Sequence, residues 1–473
     1  VDPLSLTRAA REEPDRPFLI ADRRTWTLGD LAERAGTVRR RLEELELSSR
    51  GCVALRATNR FETIVTLLAL IDEGRTVVPL HPRLTATESA ALVADSAAEF
   101  VLDEQHVVDF ASEGPSAAAP HVPGPGSILA MLYTSGTTGR PKGALLPRSA
   151  FIASAHASEQ NLGWREDDRW LLCMPVCHVG GLSILTRCLI ARRELVLLPR
   201  FDAGAVLESI VRDRATMLSV VPTMLAALLD ADGTNVLARL RVVLVGGAAC
   251  PFPLLEEAAR RGIPALTTYG LTEACSQVTV QRLRRPLIAE HGSGVALPGT
   301  HVSILRDDGT QAAVDEIGRI QVRGPTLMRG YRGQPPLVDG FETGDLGSLD
   351  ADGNLQVVSR RTDLIVTGGE NVYPAEVEQV LLDVPGVKAA LVFGSPDDRW
   401  GQIVSAALVC GAGWDERSLR VAVEQRLASH KRPRLVCFVD AIPVTSAGKP
   451  DRAGAARGLR EQLREWPVRP AAG

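Results

Sequence analysis

The sequence predicts an α/β protein: a large N-terminal domain of βα-type subdomains with mixed sheets, followed by a small mobile α+β C-terminal domain. Three observations predict this. The chain has 473 residues, too many for one ordinary core, so a large domain and at least one smaller one are expected. Through the first two thirds, apolar runs end in glycine-rich turns and lead into segments of helical period. After Arg361 the texture changes to short strands alternating with amphipathic helices. The expected domains are 1–360 and 361–473, with a hinge at 360–363 and relative motion across it, because interfaces between domains of one chain are usually modest.

In chain order, SILAMLY at 127–133, RVVLVGG at 241–247 and ALTTYG at 265–270 are the strands whose ends face ligand-binding loops. FASEGPSAAAPHVPGPGS, 110–127, is a low-complexity connection expected to be exposed. Beyond the boundary, YPAEVEQVLLDV is a short helix that a proline can begin. GVKAALVFG and GQIVSAALVCG are strands, and DERSLRVAVEQRLASH is a second helix.

Composition excludes several function classes. With 45% hydrophobic and 23% charged residues and a formal net charge of −4, the chain carries no electrostatic footprint for nucleic acid or anionic membrane. The long apolar stretch from Leu182 to Leu198 is interrupted by Arg187, Arg192, Arg193 and Glu194, which argues against a membrane span. The first residues contain no apolar signal core, so a cytoplasmic location is expected. Eight scattered cysteines do not make a disulfide framework. Cys173, Cys177 and His178 invite a metal reading, but no second cluster at finger-like spacing appears, so they are read as buried thiols near a core or pocket.

The residues that point to chemistry begin at Tyr133–Gly143, YTSGTTGRPKG. It lacks the Gly-Lys-Ser/Thr ending of a Walker loop. Glycines at 136, 139 and 143 can still bring backbone N–H groups to an anion, and Thr134, Ser135, Thr137 and Thr138 add hydroxyl donors. Lys142 adds a compact cation in a chain with only four lysines. The plainer reading is a surface turn. In YGLTE, 269–273, Tyr269 can stack on a base, Thr272 can donate to a phosphate and Glu273 can hold magnesium. The same residues can also be a core tyrosine and a helix start. TGD at 343–345 puts Asp345 in a turn suited to a ribose diol, and Arg360 lies beside the boundary.

YTSGTTGRPKG, YGLTE, TGD, SRRTDLIVTGGENVYPAEVE and IPVTSAGKPDR, in that order, resemble the motif set of the adenylate-forming superfamily: acyl-CoA synthetases, adenylation domains and luciferases. The resemblance runs from Asp2 to Arg457. It implies that a carboxylate attacks the α-phosphate of ATP, releasing pyrophosphate, and that a thiol captures the acyl-adenylate. It further implies that the loop Thr134, Ser135, Gly136, Thr137, Thr138, Gly139 and Lys142 holds the leaving phosphates. Gly246, Gly247 and Ala248 border adenine beside Tyr269 and Gly270. Thr272 contacts the α-phosphate, Glu273 binds Mg2+, and Asp345 and Arg360 hold the ribose. Lys449, carried on the small domain, bridges the two reacting anions. After adenylation it withdraws, and Gly368, Gly369 and Glu370 come forward for the coenzyme A step. Thr362 occupies the hinge position. Ser359 before Arg360, and GSGVALPG at 292–299, depart from the usual pattern.

MPVCHVGGLSILTR, 174–187, lacks the aspartate that amino-acid-activating relatives place there. With LGWREDDRWLLCMP before it, SQVT after YGLTE and GQ at 401–402, it looks most like the o-succinylbenzoate-CoA ligases of menaquinone biosynthesis. In that resemblance Arg187 meets a second substrate carboxylate, as an unpaired buried carboxylate would require. Gly181, Gly270 and Ser276 line the acid, and His178 stands between acid pocket and thiol channel. No carrier motif follows Arg457, which favours free coenzyme A as acceptor. Another aryl acid, a medium-chain fatty acid, loading of a separate carrier protein, or a catalytically dead relative remain as alternatives. Oligomeric state is left open between monomer and homodimer.

Overall fold

The computed structural model describes residues 2–48, 51–112, 114, 123–134, 141–284, 286–360, 363–367, 370–397, 400–427, 429–445 and 448–466, without the side chains of 359, 360, 370 and 371. Parallel strands covered on both faces need near-continuous apolar runs, and the chain supplies them. Val242–Val245 is buried at every position, and Arg169–Leu172 and Glu194–Leu197 at all but the first.

Among the described residues the strands form four sheets. The nine-stranded sheet runs Val295–Ala296, Ser276–Val280, Ala265–Leu271, Val242–Val245, Met217–Val220, Arg169–Leu172, Glu194–Leu197, Pro17–Ala21, Arg24–Thr27. Its middle is parallel and both its edges are antiparallel. The five-stranded sheet runs Phe100–Leu102, Cys52–Arg56, Thr76–Leu80, Ile128–Thr134, Lys142–Pro147 and is parallel except for its last pair.

Helix Phe61–Glu73 is buried at eleven of its thirteen positions, the mark of an interior helix rather than an amphipathic surface one. The largest core joins its residues to Leu55 and Leu132 of one sheet and Trp170 and Leu195 of the other. A four-stranded antiparallel sheet follows: His301–Leu305, Gly318–Arg323, Phe341–Leu349 and Leu355–Arg360.

The next strand, Ile365–Thr367, belongs to a separate six-stranded sheet with Glu370–Val372, Val387–Asp397, Gly401–Cys410, Leu435–Phe438 and Arg464–Glu465. Sheet membership therefore changes between Arg360 and Ile365. Helix Pro374–Leu382 begins on proline, whose missing N–H is no loss in a first turn. Asp415 caps Glu416–Arg426 by accepting from the Arg417 and Ser418 N–H groups.

The expected alternation of strand and helix is corrected in two places. Val242–Val245 does lead, through its glycine turn, to helix Phe252–Arg260. Ile128–Thr134 and Ala265–Leu271, by contrast, are each followed by an antiparallel strand, Lys142–Pro147 and Ser276–Val280. Both followers are short, and Ser276–Val280 is rich in β-branched residues and buried at all but its first position, so pairing on the sheet edge outcompetes a helix. Most of the low-complexity stretch at 110–127 lies outside the described residues.

Candidate active site

Thr134 and Lys142 face each other across the antiparallel pair, so the stems of the Gly/Thr-rich loop are joined. Ser135, Gly136, Thr137, Thr138 and Gly139 lie outside the described residues. Beside these stems, Glu273 sits almost fully buried in a 3-10 turn formed by Thr272–Ala274. The Tyr331 hydroxyl donates to Glu273 Oε1 at 2.7 Å, and the Thr134 hydroxyl reaches the same oxygen at 3.4 Å. Lys142 Nζ lies 5.3 Å from the centre of the Tyr331 ring. Backbone bonds from Met328 N to Glu273 O, Arg329 N to Leu145 O, Leu145 N to Gly330 O and Arg332 N to Gly143 O fasten the segment Met328–Arg332 between the glutamate and the loop strand. Magnesium takes oxygen ligands and is commonly held by one or two carboxylates plus substrate phosphates. A single oriented carboxylate beside the stems of the Gly/Thr-rich loop fits that donor set. Tyr331 was missed in the sequence because it is distant from both motifs it joins.

The turns Gly246–Gly247 and Tyr269–Gly270 use glycines that the geometry requires. A Cβ on Gly246 would come 2.7 Å from Thr268 Cγ2, and Gly247 has φ +82°. A Cβ on Gly270 would fall 2.0 Å from the Ser276 carbonyl oxygen, at a register shift between Tyr269 and Gly270. Ala248 is half-buried beside them. Cys275 and Ser276 follow at φ +52° and +91°, conformations that cost non-glycine residues energy and cluster at functional sites. The Tyr269 hydroxyl donates to Asp345 Oδ2 at 2.6 Å, and Asp345 is the register partner of Arg360. Gly368 and Gly369 are outside the described residues, and Glu370 opens the strand Glu370–Val372.

Lys449 reaches this cleft. Its loop is closed by Thr445 N donating to Lys449 O at 2.7 Å and by a bridge between Val444 and Pro450. Asp451 then caps the helix Arg452–Gly458. A Cβ on Gly247 would stand 3.6 Å from Lys449 Cε and 3.4 Å from Val221 Cγ1, so the ammonium stem lies against the glycine turn. Val221 forms the floor under both and was not anticipated.

Lys449 also influences His178, the residue preceding helix Val179–Ala191. Burial first, then the positive fields of His81, Lys449 and Arg83, lower the His178 pKa to about 4. The imidazole is therefore neutral near pH 7. Gly181, one turn on, has a packing reason: a Cβ there would lie 2.3 Å from the Pro175 carbonyl oxygen.

Arg187, on the same helix, is 3% exposed and so is an interior residue rather than a surface one. Its guanidinium donates to Ser154 Oγ at 3.2 Å and lies 5.8 Å from the Trp170 ring centre, while its Nε is buried without a partner. Burial lowers its pKa to about 10. No carboxylate pairs with it among the described residues. On Ser276–Val280, against which this helix packs, both polar atoms of the Gln277 side chain are also buried and unsatisfied. Such groups are rare in finished interiors and mark a place for a ligand or water. Gln277 lies four residues after YGLTE, in SQVT, and only tertiary burial distinguishes it from an ordinary strand residue.

Residues 6–332 match the AMP-binding enzyme family and residues 376–449 the AMP-binding enzyme C-terminal domain. The chain is 37% identical to the 2-succinylbenzoate--CoA ligase of Bacillus licheniformis over 466 residues, covering 94% of this chain and 97% of that protein. The ligase of the same name from Geobacillus kaustophilus is 37% identical over 459 residues, covering 92% and 94%. Among solved structures, the o-succinylbenzoate CoA synthetase of Bacillus subtilis in complex with the acyl-adenylate intermediate OSB-AMP superposes with a TM-score of 0.89 at 33% identity, covering 98% of this chain and 99% of that one. The ATP-bound MatB of Rhodopseudomonas palustris gives 0.86 at 28% identity, covering 97% and 100%. With both halves matched in order and a relative 37% identical over nearly the whole chain, the chain belongs to the AMP-binding enzyme family and is an AMP-forming acid–thiol ligase.

Proposed function

We propose that the protein joins o-succinylbenzoate to coenzyme A at the expense of ATP. The observation that carries the choice of acid is Arg187, a buried guanidinium that has no carboxylate partner among the described residues, on a helix packed against the strand that carries unsatisfied Gln277. An anionic group on the substrate, besides the reacting carboxylate, supplies the missing counter-charge. Two sets of relatives support it: 2-succinylbenzoate--CoA ligases at 35–37% identity, and Bacillus subtilis synthetase structures in complex with OSB-AMP or with ATP and a magnesium ion.

In this reading Tyr269 and the turn Gly246–Ala248 flank adenine, and Asp345 with Arg360 takes the ribose. Thr272 contacts the α-phosphate, and Lys142 with the loop at 134–139 holds the β- and γ-phosphates. Lys449 lies between the nucleotide side at Gly247 and the acid side at His178, which is where a cation is needed to bring a carboxylate oxygen against the α-phosphate. The new O–P bond forms as the bond to pyrophosphate breaks. Glu273, oriented by Tyr331, would hold magnesium, which when bound neutralises phosphate charge. The thiolate of coenzyme A then attacks the acyl carbon and AMP leaves. His178, neutral near pH 7, forms an uncharged wall between acid pocket and thiol path. The chain 361–473 acts as the moving unit, with Gly368, Gly369 and Glu370 serving the second step.

The test is a panel of acids: o-succinylbenzoate, benzoate, anthranilate and a medium-chain fatty acid, each assayed for AMP and for CoA thioester. o-Succinylbenzoate is expected to have the highest kcat/KM, by at least about tenfold, the cost of leaving one charge unpaired. Equal or better turnover of a monocarboxylate overturns the assignment of the acid.

A further inference from the structure

The sequence alone offered Cys173, Cys177 and His178 as an incomplete ligand set and favoured buried thiols. The fold completes it with His81, a residue 96 positions upstream of Cys177. One ligand atom from each of His81, Cys177 and His178 lies within 4.8 Å of the other two. The two imidazole rings are 5.5 Å apart, centre to centre, and tilted by 38°. His178 Nε2 is buried with no hydrogen-bond partner, and Cys177 is 6% exposed.

Two histidines and a cysteine are a borderline-soft donor set that favours zinc, copper or cadmium over magnesium. Zinc sits about 2.0–2.1 Å from nitrogen and about 2.3 Å from sulfur, so its ligands stand on the order of 3.5 Å apart. Side-chain rotation of about 1 Å closes the cluster to that spacing. The fourth position is left for water or substrate. Arg83 N–H donates to His81 Nδ1 at 3.0 Å. Ligation through Nε2 moves the ring proton to Nδ1 and returns that exposed N–H to water. Ligation through sulfur releases the thiol proton of Cys177, which burial otherwise holds in place.

We infer that His81, Cys177 and His178 form a site for a soft divalent cation, distinct from the magnesium carboxylate Glu273, and that its occupancy blocks adenylation. The block is electrostatic. This block rests on the proposed function, in which His178 walls the acid pocket where the Lys449 ammonium must stand, so a dication held on that imidazole repels the ammonium.

The site is tested on the full chain, stripped with chelator and titrated with Cd2+ while the thiolate-to-metal ultraviolet band is followed. One equivalent is expected to produce the band. Cys177→Ser should abolish it, and His81→Gln, at a half-buried position outside the reaction centre, should weaken binding at least about tenfold. Neither readout depends on which acid the enzyme uses. In parallel, pyrophosphate release at saturating Mg2+ and ATP should fall at least about tenfold with equimolar Zn2+, recover with chelator, and resist Zn2+ in Cys177→Ser. A band that persists in Cys177→Ser places the metal on another cysteine, and binding unaffected by His81→Gln removes His81 from the ligand set; either result overturns the site. Binding without inhibition overturns the coupling to Lys449.

Discussion

Arg187→Met separates what this residue does for substrate from what it costs the fold. The side chain is buried and its pKa is depressed from 12.5 to about 10, with burial as the leading cause. That depression is a penalty of about 3 kcal/mol on the charged form in the folded state. Because the folded value lies below the unfolded one, the penalty is present at every pH below about 10 and fades as pH rises toward 12.5. Methionine keeps the length of the stem and removes the charge. It forfeits the bond to Ser154, worth about 1 kcal/mol, and the contact with Trp170. The net gain is about 1–2 kcal/mol, a rise of a few degrees in Tm by scanning calorimetry. For o-succinylbenzoate, losing a charge-assisted contact of about 2–3 kcal/mol lowers kcat/KM by about 30- to 150-fold. Benzoate, lacking the second carboxylate, should change by less than about threefold. A variant that melts earlier, or one that slows both acids equally, refutes the claim that this guanidinium waits for a substrate anion.

Lys449→Ala should lower adenylation at least about a hundredfold, the scale of one preorganised charge, while converting supplied acyl-adenylate to thioester nearly as before. Equal loss in both half-reactions would remove its bridging role. Tyr331→Phe deletes a bond to the Glu273 carboxylate worth about 1–2 kcal/mol; the Mg2+ concentration for half-maximal adenylation should rise about 5- to 30-fold with Tm within about two degrees. An unchanged Mg2+ titration contradicts the positioning argument. Gly270→Ala places a methyl against the Ser276 carbonyl and should cost about 1–3 kcal/mol in denaturant unfolding, with AMP formation reduced; a variant as stable as the parent would mean the turn can relax.

Much of the candidate site could be named from the sequence because its residues travel in short contiguous motifs. YGLTE carries a ring, a hydroxyl and a carboxylate in one run, and the lysine scarcity made Lys142 and Lys449 stand out before any coordinates. The C-terminal elements were legible for a similar reason: proline at the start of Pro374–Leu382 and the apolar runs of Val387–Asp397 and Gly401–Cys410 are local signals. The strands after Ile128–Thr134 and Ala265–Leu271 were not, because a short apolar run has no period long enough to separate strand from helix.

By itself, then, the sequence determined the family, the order of the motifs and the chemistry each can perform, since these depend on residue type and local spacing. Only the tertiary structure decided that Tyr331 orients Glu273, that Lys449 lies against Gly247, that Arg187 is buried among uncharged groups, and that His81 joins Cys177 and His178. Each of these depends on burial and on contacts between residues dozens to hundreds of positions apart, and solvent exclusion is a property of the packed chain that no local pattern encodes.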